Sequence, residues 1–207
     1  LTDPREVGSG RKISTSSRLI DSGLLSPDEM INCHDGLACG GGRVIRDDHP
    51  MGVVPFSEAF AESSNIAMAS LADARLEPNA SYAGLQRFGV GKPTGIDLPG
   101  ENGGILRPVA RWTGMSKASL AIGYETSLTP MQVVAALGAI GNDGVRMKPH
   151  VALEIRDVKG ETIRKFDPES LGRVVGPETC KTLRGLMEGV VLHGTASREG
   201  KVPGYRV

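Results

Sequence analysis

Ser9 and Lys12 lie three residues apart in the segment Ser9-Gly10-Arg11-Lys12. On the first turn of a helix that spacing puts a hydroxyl and an amine on one face. A neutral amine there can take the serine proton and leave an oxygen nucleophile. Desolvation and the positive end of a helix dipole both push a lysine pKa down, so such a lysine is neutral part of the time. Backbone N–H groups at the same helix end can also help hold an oxyanion. Ser63-Ser64-Asn65 is a second short polar constellation, 54 positions further on. Alone, each motif is within reach of chance in a chain with 16 serines and 8 lysines, and plain helix capping explains each as well. Each occurs once, and together they narrow the reading.

These residues need elements to position them. Ile13, Leu19, Ile20 and Leu24 recur at roughly helical spacing and Asp21-Ser22-Gly23 supplies a stop, which predicts a helix from Ser9 to Leu25. Residues 26–50 are turn-rich and predict a hairpin insertion, with Met30-Ile31-Asn32-Cys33 and Arg43-Val44-Ile45 as short strands around Gly40-Gly41-Gly42. Residues 55–62 and 65–76 read as two short helices broken at Ser63-Ser64, where serines offer cap chemistry. A third helix runs from Asn79, as N-cap, to Phe88, with Gly89 as its stop. Thr129-Pro130 opens another that continues through Ile140, and apolar residues on all its sides predict burial. Residues 151–166 alternate around a Lys159-Gly160 turn and predict a half-exposed hairpin. The last helix spans 177–192, and Gly204-Tyr205-Arg206-Val207 reads as the start of a strand.

Composition removes several function classes. Twenty-four basic and twenty-four acidic residues give zero formal charge without a basic cluster, and aromatics are 4% of the chain. Neither the electrostatic footprint nor the stacking platforms of a nucleic-acid binder are present. The longest uncharged run, Thr126 to Asn142, is 17 residues and too short and polar to span a bilayer. His34, His49, His150 and His193 show no metal-ligand spacing, so no metal is expected. Gly91-Lys92 lacks the earlier glycine and the following Ser/Thr of a phosphate loop. Cys33 and Cys39 are near enough to pair across a hairpin, Cys180 has no evident partner, and cysteine usage leaves the redox compartment open.

The order of the motifs carries a resemblance. S-x-x-K and S-x-N are two of the three active-site elements, with K-T-G, of penicillin-binding proteins and class A β-lactamases. The chain resembles the transpeptidase domain of class B penicillin-binding proteins, most of all the division-type branch. Thr2-Asp3-Pro4-Arg5-Glu6-Val7-Gly8-Ser9-Gly10-Arg11-Lys12 is similar to that family's T-D-x-x-E-P-G-S-x-x-K approach to the nucleophile. Ile45-Arg46-Asp47-Asp48-His49, Ser63-Ser64-Asn65-Ile66, Phe88-Gly89-Val90-Gly91 and Leu98-Pro99-Gly100-Glu101 follow in family order. So do Ile122-Gly123-Tyr124-Glu125, Thr129-Pro130-Met131-Gln132, Asn142-Asp143-Gly144 and His193-Gly194-Thr195-Ala196.

The resemblance implies an α+β fold of the penicillin-binding-protein/β-lactamase type, with residues 1–207 a partial transpeptidase domain, mostly its helical part with small hairpins. It implies that Ser9 attacks the terminal D-Ala–D-Ala bond of a peptidoglycan stem peptide and forms an acyl-enzyme, with Lys12 as general base. Ser63 would relay a proton, and Asn65 would hydrogen-bond the substrate backbone and orient Lys12. An amine of a neighbouring stem peptide would resolve the acyl-enzyme, and β-lactams would leave Ser9 acylated. No cofactor is implied. The implied partners are stem peptides, β-lactams and other cell-wall synthesis or division proteins. The implied location is the extracytoplasmic face of a bacterial cytoplasmic membrane, with a membrane anchor outside this chain. Two departures stand out: Val7 stands where the family has proline, and Gly10-Arg11 where it has a small or β-branched residue followed by an apolar one. The K-T-G strand, source of an oxyanion-hole donor and a substrate-carboxylate contact, is absent, so the chain is expected to be a fragment holding part of the site and poorly active alone. Two alternatives stay open: a D,D-carboxypeptidase or β-lactamase relative, in which water deacylates, and an inactive scaffold, motivated by Val7, Gly10 and Arg11.

Overall fold

Ser9 sits in a single 3-10 turn, Gly8–Arg11, that runs into helix α1, Lys12–Asp21, in a computed structural model that describes residues 1–34, 36–38 and 44–205. The helix stops at Asp21 because Gly23, at φ +67°, turns the chain back, and Leu24 N–H donates to Leu19 O at 2.9 Å. Ser16 and Ser17 are wholly buried on α1, where small side chains let neighbouring helices approach closely. Ser17 Oγ bonds its own helix at Ser14 O (2.8 Å), so the buried hydroxyl is not left unpaired.

Six further α-helices follow among the described residues: α2, Phe56–Ala61; α3, Asn65–Arg75; α4, Pro78–Arg87; α5, Ser116–Ala121; α6, Pro130–Gly141; and α7, Pro177–Leu192. α4 is capped at Glu77 with Pro78 at its first position, two residues earlier than the expected Asn79 cap. Helices α3, α4 and α7 pack directly on α1, and Leu19, Phe56, Met68, Ile140 and Leu183 form the inaccessible centre of one apolar cluster. Asp21 Oδ1 accepts from Gly176 N–H (2.8 Å) and Thr179 Oγ1 (3.0 Å), pinning the start of α7 to the end of α1. Among the described residues no helix is long and apolar enough to cross a membrane.

The strands make two-stranded antiparallel ladders. They are β1 (Met30–Asn32) with β4 (Val53–Pro55), β2 (Leu37–Ala38) with β3 (Val44–Ile45), β5 (Ile105–Leu106) with β6 (Thr126–Ser127), β7 (Val145–Met147) with β10 (Ser170–Arg173), and β8 (Glu154–Arg156) with β9 (Thr162–Lys165). One pairing expected in the 26–50 hairpin is corrected: β3 pairs with β2 inside that segment, whereas the strand at Met30 pairs outside it, as β1 with β4, Ile31 opposite Val54. Ile31 is the buried residue of β1, opposite Val54 of β4, while Met30 and Asn32 face out. The β8–β9 hairpin falls within 151–166 and is mostly exposed. Gly204 and Tyr205 lie in a turn, and the remainder of the expected terminal strand, 206–207, lies outside the described residues.

Helix α6 is not buried all round. It buries Gln132, Ala139 and Ile140, whereas Val134 is 63% exposed and Leu137 38%, because only one flank packs on α7 and β7. Its start is a full capping box between Thr129 and Gln132. Gln132 Nε2 also donates to Lys92 O (2.8 Å), Gly103 O (2.8 Å) and Gly89 O (3.2 Å), so one buried amide holds the 89–104 loop on the helix. The strand leading to Ser9 is fixed by paired Arg5 and Leu128 backbone bonds, both 2.9 Å, and by Gly8 crossing Gly123. Gly123 has φ +100°, and a Cβ there would lie 2.0 Å from Gly8 O.

Gln132→Ala is expected to cost about 2–4 kcal/mol, from the lost cap and the carbonyls left without a donor. Denaturant unfolding checks this, and a change below ~0.5 kcal/mol would mean the loop is held by other contacts. Gly123→Ala should cost about 2–4 kcal/mol through clash and positive φ, while Gly138→Ala, in open space on α6, should stabilise by roughly 0.5–1 kcal/mol.

Candidate active site

Three of the four residues singled out in the sequence converge. Ser63 Oγ donates to Ser9 Oγ at 3.0 Å and accepts from Lys12 Nζ at 2.8 Å. Lys12 Nζ donates a second, close bond to the carbonyl oxygen of Ser63. Ser9 and Lys12 make no direct hydrogen bond among the described residues; Ser63 stands between them. A proton leaving Ser9 can therefore reach the amine through a hydroxyl rather than across open space.

Local folding accounts for each position. Lys12 is the first residue of α1, so its stem runs inward between packed helices and the residue is 3% exposed, while Ser9 on the preceding turn stays open. Helix α2 ends at Ala61, and Ser63 takes a left-handed conformation, φ +59°, that costs a non-glycine residue roughly 1–2 kcal/mol. Ser64 then caps α3 by accepting from Ala67 N–H at 2.9 Å. The break is short because one helix's stop and the next helix's cap are adjacent residues, and it turns both oxygens of Ser63 toward Lys12.

These groups open onto a cleft of about 340 Å³ lined by Ser9, Lys12, Ser63, Phe60, Met187 and Thr195. Thr195 reaches it because Gly194 lies flat on the end of α2, where a Cβ would be 2.2 Å from Ala61 O, and Thr195 N–H donates to that oxygen at 3.1 Å. Burial lowers the Lys12 pKa to about 8, opposed by the charge of Asp47. The amine is thus protonated for part of the population and a base for the rest at neutral to mildly alkaline pH.

Asn65 does not make the expected contact with Lys12. Its Nδ2 donates to Arg46 O at 3.2 Å and makes no bond to Lys12, which Ser63 orients instead. Sequence reasoning missed Asp47, which accepts from Ser64 Oγ (2.7 Å), Asn65 N–H (2.5 Å) and Ile66 N–H (2.9 Å). No local pattern marks it, since its partners lie 17 to 19 residues away; its one signal is a place in the motif series. The departures at Val7 and Gly10 fit each other: a Cβ on Gly10 would lie 3.1 Å from Val7 Cγ1, so glycine makes room for valine. Arg11 is 3% exposed with Nε and Nη2 unpaired, and burial lowers its pKa to about 10. Cys33 and Cys180 are buried free thiols whose pKa burial pushes up, so neither competes with Ser9 as a nucleophile; Cys39 lies outside the described residues.

Comparison with known proteins agrees with this geometry. A family model described as the penicillin binding protein transpeptidase domain matches residues 1–207. The chain is 37% identical over 193 residues to penicillin-binding protein PbpB of Mycolicibacterium smegmatis, covering 92% of this chain and 29% of that protein. It is 27% identical over 208 residues to peptidoglycan D,D-transpeptidase FtsI of Escherichia coli, covering all of this chain and 33% of that one. Among solved structures, penicillin-binding protein 3 of Mycobacterium tuberculosis complexed with ampicillin superposes with a TM-score of 0.85 at 35% identity, over 92% of this chain and 42% of that one. The chain spans a third or less of the length of these two curated relatives. A match running from the first residue to the last, through a serine, serine and lysine so arranged, leaves one assignment: the chain belongs to the penicillin-binding protein transpeptidase domain family.

Proposed function

We propose that the protein is a peptidoglycan D,D-transpeptidase working through an acyl-enzyme on Ser9. The observation that carries the reading is the hydrogen-bonded line from Ser9 through Ser63 to a buried, pKa-lowered Lys12 at the foot of an open cleft. The name of the Escherichia coli relative and the ampicillin complex of the mycobacterial one support it.

In this reading the stem peptide lies in the cleft with its terminal D-Ala–D-Ala carbonyl at Ser9. As Ser9 Oγ bonds the carbonyl carbon, its proton passes through Ser63 to neutral Lys12. The tetrahedral intermediate collapses, the C–N bond breaks, and the departing D-alanine amine takes the proton back from Lys12 by the same route. The amine of a second stem peptide then attacks the ester, with Lys12 again accepting a proton and Ser9 regaining one, which leaves a cross-link. A β-lactam enters by the first half and stays on Ser9. Asn65, which lines a separate pocket with Arg46 and Tyr124, is assigned the contact with the substrate backbone. The 207 residues contain no Lys-Thr-Gly triplet, and the reading assigns the oxyanion-hole donor and substrate-carboxylate contact to such a strand outside them. The protein works on the extracytoplasmic face of the cytoplasmic membrane, with other cell-wall synthesis or division proteins.

Intact mass after incubation of the full-length protein with a penicillin tests this. The expected result is one adduct, absent in Ser9→Ala; a folded protein with no adduct, or an adduct that survives Ser9→Ala, overturns it. Lys12→Met should slow acylation about 10²–10⁴-fold, the range for loss of a general base. Because Lys12 must be neutral to accept the proton, the acylation rate should rise with pH through about 8 and level off above it.

A further inference from the structure

We infer that Asp47 is a positioning residue for acylation, locking the Ser63-Ser64-Asn65 turn against Lys12. The inference rests on the acyl-enzyme reading above and adds a residue that touches neither substrate nor nucleophile. Ser63 is held in a left-handed conformation that it would leave if its flanks were free. From the α2 side two backbone bonds restrain it, Ser63 N–H to Phe60 O (3.0 Å) and Ser64 N–H to Ala59 O (2.7 Å). From the α3 side the Asp47 carboxylate makes three of the restraining bonds, beside the Ser64 cap on Ala67 N–H and the Asn65 side-chain bond to Arg46 O. Asp47 Oδ1 accepts from Asn65 and Ile66 N–H while Oδ2 accepts from Ser64 Oγ. With Ser64 Oγ taking Ala67 N–H, three of the free donors at the start of α3 are satisfied by two residues.

The segment carrying Asp47 is tied both to β3 and to the turn itself. Asp47 follows buried Ile45 at the end of β3, and its neighbour Arg46 receives the Asn65 side-chain amide. The 45–47 segment thus grips Asn65 by backbone and side chain at once. Loosening Asp47 would free the turn, and with it the two Ser63 oxygens that face the Lys12 amine.

The same carboxylate acts on Lys12 by its charge. The neighbouring elements carry other charged groups, several of them paired, while Arg11 and Arg18 keep buried nitrogens without a hydrogen-bond partner. Glu58 and Glu62 of α2 lie 3.5 Å from His193 and 3.7 Å from His49, and Asp73 and Arg75 at the far end of α3 pair with Lys117 and Glu29. Glu188 of α7 has a partner of its own, Arg184 of α7 pairs with Asp143, and Arg146 donates to Arg87 O at the end of α4. Arg11 is buried beside a separate apolar cavity, and Arg18 lies further along α1 against α4. Of all these, Asp47 is the charge whose effect on Lys12 is resolved, favouring the ammonium against burial. Position and charge can therefore be separated by substitution.

The test is a pH titration of the Lys12 side chain by ¹³C NMR in the full-length protein, assigned with Lys12→Met, beside acylation rates by a penicillin. Asp47→Asn keeps an acceptor for the two α3 amides and removes the charge. Its Lys12 titration should move to lower pH by roughly 0.5 unit or more, the acid limb of acylation should follow it, and the plateau rate should fall about tenfold. Ser64→Ala removes the cap but keeps the charge, so it should lower the melting temperature and leave the Lys12 titration in place. Asp47→Glu keeps the charge but displaces the carboxylate by a methylene, and should slow acylation without moving the titration. An unmoved or raised Lys12 titration in folded Asp47→Asn overturns the inference, as does Asp47→Glu acylating at the wild-type rate. The NMR arm reads Asp47 even where no acylation occurs, and absence of acylation in the wild type counts against the acyl-enzyme reading alone.

Discussion

An ammonium group kept from water is the constraint on which the arrangement of this site depends. Lys12 is 3% exposed, and a charge so placed would be expelled or would unfold its surroundings unless other groups replaced its hydration. Ser63 supplies two oxygens and Asp47 an opposing charge. The balance is intermediate: burial is deep enough to bring the pKa to about 8, and the partners are good enough that the group still ionises. A fully exposed lysine would be too weakly inclined to release its proton, and a fully unpartnered one would be a structural liability.

That balance dictates the backbone around it. Ser63 sits at φ +59° between α2 and α3, and in that conformation both its oxygens face the amine. The surrounding chain makes the strained form the only one that fits. The segment after α7 presses on the end of α2 through Gly194, the 45–47 segment grips the start of α3, and the strand before Ser9 crosses Gly123 with no room for a side chain. The Gly194 and Gly123 contacts are backbone against backbone, so glycines stand at them, whereas the 45–47 grip runs through the Asp47 and Asn65 side chains.

The departures from the family pattern are absorbed in the same way. Glycine at position 10 spares Val7 Cγ1 the tight 3.1 Å contact that a Cβ would make beside the turn carrying Ser9. Arg11 lies with its stem beside an apolar cavity of about 80 Å³ shared with Val7, Ile13 and Leu137, on a different wall from Lys12. The change adds a buried cation without displacing the hydrogen-bonded line.

What the sequence determined by itself is whatever depends on neighbours along the chain. The span of α7, the proline-led capping box of α6, the helix break at Ser63-Ser64 and the placement of Ser9 and Lys12 about a helix start are written in periodicity, caps and stops within a few residues. Only the tertiary structure decided what depends on partners far apart. It chose β4 as the partner of β1, left one flank of α6 in solvent, gave the orienting of Lys12 to Ser63 rather than Asn65, and brought Asp47 to the start of α3. The physical reason is range: capping and helical periodicity act over one or two turns, whereas strand partners, burial and the field at a buried amine are set by which surfaces meet when the chain closes.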